Sequence, residues 1–121
     1  MNILPDNEIL ESHINQAGIT TGPKKLEIFR KACELRGVPR YKDDGSSSDI
    51  ARVKLFDPCG SWTWYIGEWD GESEAFGLVE GFDTEFGYFS LAELSEVKGP
   101  MGIGIEVDVY FTPVPFNELP R

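Results

Sequence analysis

Ser61-Trp62-Thr63-Trp64-Tyr65-Ile66-Gly67-Glu68-Trp69-Asp70-Gly71 is the stretch that decides the fold. All three Trp of the chain and one Tyr fall within eight residues here, alternating with small or polar ones, and Asp70-Gly71 stops the run. Alternation at period two, rich in aromatics and ended by Asp-Gly, predicts a strand entering a tight turn. Strict alternation puts Trp62, Trp64, Ile66 and Glu68 on one face and Thr63, Tyr65, Gly67 and Trp69 on the other. Large side chains on both faces predict a central strand, covered on one side by helices.

Working outward, Ala51, Val53 and Leu55 alternate with Arg52, Lys54 and Phe56 and end at Asp57-Pro58-Cys59-Gly60, a turn by composition. The tryptophan strand returns from that turn. Beyond Asp70-Gly71-Glu72-Ser73, Glu74 to Glu80 reads as a third strand with Phe76 and Leu78 on one side, completing an antiparallel meander. Gly81 to Glu85 reads as a loop and Phe86-Gly87-Tyr88-Phe89 as a short strand. Ser90-Leu91-Ala92-Glu93 is a capping box, and Phe89 with Leu94 is placed to form a hydrophobic staple. A helix from Leu91 to Lys98 is predicted, closed by Gly99-Pro100. Ile103, Ile105, Val107, Val109 and Phe111 then alternate with Gly104, Glu106, Asp108 and Tyr110, which predicts a half-buried last strand, acidic outward. Pro113, Pro115 and Pro120 predict an extended, non-helical tail.

The N-terminal part is different. Pro5, Asp6 and Glu8 open one predicted helix with Ile9, Leu10, Ile14 and Ala17 as its stripe and Gly18 as its end. Gly22-Pro23 and Gly37 bracket a second, with Leu26, Phe29, Cys33 and Leu35 as its apolar side. Lys24, Lys25, Arg30, Lys31 and Arg36 make it the one basic patch. From residue 38 to 49 apolar content falls away through Asp43-Asp44-Gly45-Ser46-Ser47-Ser48, a stretch too polar to offset the entropy of ordering itself, so a flexible loop is expected. With 121 residues the chain is expected to be one domain: a helical part over 1–37, the loop over 38–49, a sheet core over 50–116 and a tail over 117–121. The expected class is α+β, an antiparallel sheet of four to five strands with two N-terminal helices and one helix before the last strand.

Charge narrows the partners. Residues 1 to 48 carry seven bases and seven acids, whereas 49 to 121 carry four bases and fourteen acids, which places the whole net charge of -10 in the later part. Between Glu68 and Glu96 there are nine acids and no base. Such a surface repels phosphate backbones and anionic lipid and attracts a basic or DNA-binding protein, so no direct nucleic-acid or membrane contact is expected. No apolar run approaches eighteen residues and the start lacks a signal-peptide pattern, so a cytoplasmic location is expected. Cys33 and Cys59 lack metal-ligand spacing and read as free thiols.

Glu68, Asp70, Glu85, Glu106 and Asp108 are the candidate acidic or metal site, because each stands at the end or outward face of a strand. Converging carboxylates can hold a divalent cation or raise one another's pKa; a solvated acidic face is the plainer reading. Asp70-x-Glu72-x-Glu74 imitates the start of a calcium loop, yet Ala75 and Gly81 stand where that loop needs Gly and Glu. Tyr65, Trp69 and Tyr88 are the candidate stacking platform for a ligand, set against ordinary core packing. His13 is the sole histidine, which leaves nucleophilic catalysis without its usual base. Gly99-x-x-Gly102-x-Gly104 follows a helix and opens a strand, the reverse of a dinucleotide-binding turn.

Lys54-Leu55-Phe56-Asp57-Pro58, Thr63-Trp64-Tyr65, Glu68-x-Asp70, Phe76-Gly77, Glu85-Phe86-Gly87-Tyr88-Phe89-Ser90-Leu91-x-Glu93-Leu94, Ile105-Glu106-x-Asp108 and Phe111-x-Pro113 together resemble the bacterial family of domain of unknown function 2958, over residues 53–116. Members often carry Arg between the Glu and Asp of the penultimate motif, where this chain has Val107. The resemblance implies an α+β domain of bacteria and their mobile elements, and it hands over no catalytic residue. Three functions follow as expectations. The first is a non-catalytic protein-interaction module, one form of which inhibits a DNA-binding defence or regulatory protein by phosphate mimicry. The second is a metal-dependent hydrolase on Glu68, Asp70, Glu106 and Asp108, and the third a small-molecule binding domain. No cofactor is expected.

Overall fold

The computed structural model describes residues 21–119. The predicted helix from Pro5 to Gly18, with His13, lies outside the described residues, as do residues 120 and 121. Helix α1 (Pro23–Leu35) has Pro at its first position after Gly22, which takes φ 78. It ends before Gly37, whose φ of 68 is the left-handed conformation glycine adopts cheaply. Its buried face is Lys25, Ile28, Phe29, Ala32 and Cys33, the i, i+3, i+4, i+7, i+8 stripe of one helix side. Leu26 and Leu35 sit at the margin, half-buried. The expected basic patch is therefore broken up. Lys25 and Arg36 are buried, and Arg30 pairs with Glu27 and donates to the Glu72 carbonyl at 2.7 Å.

The sheet runs in the order β5-β4-β3-β2-β6, all antiparallel: β2 (Val53–Phe56), β3 (Thr63–Trp69), β4 (Glu74–Glu80), β5 (Thr84–Ser90) and β6 (Glu106–Val107). A small second sheet pairs β1 (Ile50–Ala51) with β7 (Val114–Pro115). The expected meander and the central tryptophan strand are present. β5 is longer than expected: seven residues in unbroken register with β4, so Thr84 and Glu85 belong to the ladder.

Two elements are shorter. Helix α2 (Leu91–Ser95) has the expected cap, with Ser90 Oγ accepting from the Glu93 N–H at 3.1 Å. It stops three residues early, because Glu96 and Val97 turn back in tight bonds to the carbonyls of Glu93 and Leu94, while the Gly22 N–H takes the Ser95 carbonyl. The last strand pairs only over Glu106 and Val107, since its partner β2 is four residues long and Asp108 then accepts the Tyr110 N–H in a turn. Its alternation survives as burial of Ile105, Val107 and Val109. The tail is extended only through β7; Phe116–Glu118 forms a 3-10 turn.

The loop expected over 38–49 begins late. Val38–Tyr41 is tied along the end of β3: the Trp69 N–H donates to the Pro39 carbonyl (3.0 Å), the Tyr41 N–H to the Trp69 carbonyl (3.2 Å), and the Trp69 indole to the Val38 carbonyl (3.1 Å).

The register of β3 departs from strict alternation. Ile66 pairs with Gly77 and Glu68 with Phe76, so Gly67 is an extra residue in a bulge. A bulge shifts the parity of everything beyond it. Trp69 therefore joins Trp64 and Ile66 in the main core beneath α1 and α2, with Val53, Leu55, Phe29 and Leu91. Glu68 crosses to the face of Tyr65, opposite Phe76 and two places from the Tyr65–Leu78 pair. That second face holds a smaller cluster of Ala51, Tyr65, Leu78, Phe116 and Leu119.

Candidate functional site

The five candidate acids do not meet. β5 and β6 are opposite edges of the five-stranded sheet, so Glu85 and Glu106 stand about 19 Å apart at four strand spacings. Among the described residues no three His, Cys, Asp or Glu side chains gather as metal ligands would.

Each acid has its own surroundings. Glu68 is only 4% exposed, and its Oε2 has no hydrogen-bond partner. Asp70 Oδ1 accepts the N–H groups of Glu72 (2.8 Å), Ser73 (2.9 Å) and Glu74 (3.0 Å), closing the β3–β4 turn. Desolvation pushes this carboxyl up, and the backbone bonds outweigh it, leaving it below the usual carboxylate range. Asp108 pairs with Lys54 at 3.6 Å. Glu106 lies near buried Lys25, whose ammonium burial holds below its ordinary value while the Glu106 charge acts against that shift. Glu85 is exposed on β5.

The expected platform separates as well. Tyr65 and Trp69 are both 4% exposed, in different clusters on opposite faces of the sheet, because the bulge at Gly67 lies between them. Tyr88 is 67% exposed and belongs to another aromatic group.

That group is a continuous row of rings on the face away from the helices. Tyr41 meets Tyr88 edge-on at 5.7 Å, Tyr88 meets Phe76 at 4.9 Å, Phe76 stacks on Phe86 at 6.3 Å, and Phe86 meets Phe116 at 5.1 Å. β4 and β5 lay out the middle of the row because Phe76–Tyr88 and Leu78–Phe86 are cross-strand pairs on one face. Phe116 arrives from the C-terminal turn over Gly67, where a Cβ would come within 2.9 Å of its ring. Tyr41 is held by its bond to Glu74 (3.3 Å) and by the tie between its N–H and Trp69. Burial, then the Glu74 carboxylate, raises its phenol pKa.

Between Phe76, Phe86 and Phe116 on one side and residues 47–50 on the other lies an open groove of about 810 Å³, with Asp49 and Glu118 on its rim. Phe86 and Tyr88, at 53% and 67% exposure, lead from it to the outer edge of β5. Alternation along β5 signals Phe86 and Tyr88 as one face in the sequence. Phe116 and Tyr41 are far away in the chain and leave no such signal.

Among the described residues no helix is long and apolar enough to cross a membrane. No curated protein and no solved structure matches the chain. The family described as "Protein of unknown function (DUF2958)" matches residues 30–116, reaching further towards the N-terminus than the motifs from Lys54 onward and taking in the C-terminal part of α1. The chain belongs to that family.

Proposed function

We propose that this protein is a non-catalytic interaction module that binds a basic protein partner on the aromatic face of β4 and β5. The observation that carries this reading is the exposure of Phe86 and Tyr88 on an edge strand, linked through Phe76 to the groove under Phe116. Exposed aromatics in a contiguous row are the side chains that anchor interfaces. The nine acids between Glu68 and Glu96, with no base among them, set the partner's charge. They speed encounter and exclude acidic partners, while the rings supply the hold. A DNA-binding protein, whose own site is built for phosphates, is a partner of this kind.

A displayed library of random basic peptides tests the proposal. Selected peptides should bind about tenfold or more weakly to the Phe86→Ala/Tyr88→Ala double variant and lose affinity between low and high salt. Peptides that bind the folded double variant as well as the parent would overturn it.

The groove favours a second reading, a small-molecule binding domain. About 810 Å³ with three Phe in the wall is in the range of ligand sites. The binding position is then Phe76, Phe86 and Phe116. Chemical-shift changes confined to residues 47–50 and these rings, on titrating a panel of aromatic metabolites, would support it; a silent panel would count against it.

A further inference from the structure

We infer that the partner docks by strand addition: an extended basic segment pairs with the free edge of β5 and continues the sheet. The inference rests on reading the β4–β5 aromatic face as an interaction surface and specifies how that surface is used.

The hydrogen-bond pattern of the hairpin shows which backbone groups are open. The Leu91 N–H donates to the Ser73 carbonyl and the Gly81 N–H to the Asp83 carbonyl, at the two ends of the β4–β5 register. Antiparallel ladders alternate bonded and non-bonded pairs. The bonded pairs between these ends are therefore Ala75–Phe89, Gly77–Gly87 and Val79–Glu85. The N–H and C=O groups of Phe86 and Tyr88 point the other way, to the outside. Among the described residues no strand pairs with that side of β5. The two middle residues with outward-facing backbone groups are thus the two whose rings are exposed.

Sheet edges are usually protected by a bulge, a proline, an inward lysine or shortness. β5 has none of these. It is seven residues long, in unshifted register, with Glu85 as its single charge. The opposite edge is different, since β6 pairs over two residues and is followed by the Asp108 turn and the Lys54–Asp108 pair.

Both faces of an added strand have a predictable chemistry. Residues directly opposite Phe86 and Tyr88 would share the aromatic face and should be apolar. Residues on the alternate positions would lie on the other face, beside Glu85 and over Gly87, where nothing stands within 4 Å of a Cβ position. Long basic side chains fit there, their stems over Gly87 and their charges at Glu85. A second copy of the chain is a poorer occupant, because it brings its own acids to the same edge.

The probe is an alternating Lys/Val heptapeptide with blocked ends, in three forms: unmodified, N-methylated at every Val, and N-methylated at every Lys. The added strand is taken as antiparallel, like every other pair in the sheet; Val opposite Phe86 and Tyr88 then donates its N–H to β5, whereas the Lys N–H groups face outward. The unmodified and Lys-methylated peptides should bind alike, the Val-methylated one about tenfold or more weakly. Hydrogen exchange at the Phe86 and Tyr88 amides should slow on binding. Equal binding of both methylated forms, with exchange unchanged, overturns strand addition and leaves side-chain docking on the aromatic face intact. No binding of the unmodified peptide also overturns it, and so does a peptide-free dimer in sedimentation with those two amides already protected. Failure of the interaction surface itself is read separately, from library peptides that ignore the Phe86/Tyr88 double variant.

Discussion

Phe86 on the edge strand and Phe116 in the C-terminal turn meet edge to face, with ring centroids 5.1 Å apart. This contact closes one end of the groove, and it exists because Gly67 leaves room for the Phe116 ring. Phe116 is 8% exposed and ties the tail to the second cluster. Phe116→Ala should cost about 3 kcal/mol, the ordinary loss for a buried Phe. Gly67→Ala should cost about 1–3 kcal/mol by overpacking the same ring. Urea unfolding of each variant measures both.

Gly77 and Gly87 face each other across β4 and β5, yet their surroundings are opposite. A Cβ at Gly77 would run into the Tyr65 carbonyl, which is part of the β3–β4 ladder and has no freedom to move aside. At Gly87 there is open space, and its φ is not in the left-handed region. Gly77→Ala should destabilise by about 3 kcal/mol or more. Gly87→Ala should be neutral or stabilise by about 0.5 kcal/mol. Thermal melts of the two variants would separate them clearly.

Asp70 supplies a pH dependence. Its carboxylate accepts three backbone N–H groups and its pKa in the folded chain is lowered, so its contribution is complete above the unfolded pKa. It is lost as pH falls through the folded value. Asp70→Ala should cost about 1 kcal/mol at neutral pH, nearly all from the turn bonds, because the exposed charge is screened. The gap between parent and variant should shrink below about pH 4. Denaturant titrations at pH 7 and pH 3 measure it; a constant gap would contradict the assignment.

The two cysteines should report the fold directly. Cys33 is buried against the sheet, and burial, then Glu34, pushes its thiol pKa up, whereas Cys59 is exposed in the turn after β2. A thiol reagent should modify Cys59 quickly in the native protein and Cys33 only on unfolding. Mass spectrometry after brief labelling reads one adduct against two.

Local chemistry was legible in order along the chain. Gly22-Pro23 and Gly37 mark the limits of α1, Asp70-Gly71 the β3–β4 turn, and Ser90 with Glu93 the cap of α2, because each of these depends on neighbours a few residues away. The lengths of β5 and β6 were not legible. How far a strand extends depends on whether its partner continues, and β4 continues beside β5 while β2 ends beside β6.

The candidate sites divide along the same line. Composition and alternation by themselves determined the α+β class, the antiparallel meander and a negative later half, since these follow from periodicity and counting. Only the tertiary structure decided which side chains face each other. One extra residue at Gly67 moves Trp69 into the core and Glu68 to the opposite face, and Phe116 and Tyr41 reach the Phe86–Tyr88 row from distant positions. A bulge costs the sequence no visible pattern, and contact between distant segments has none, so neither could be read before the chain was folded.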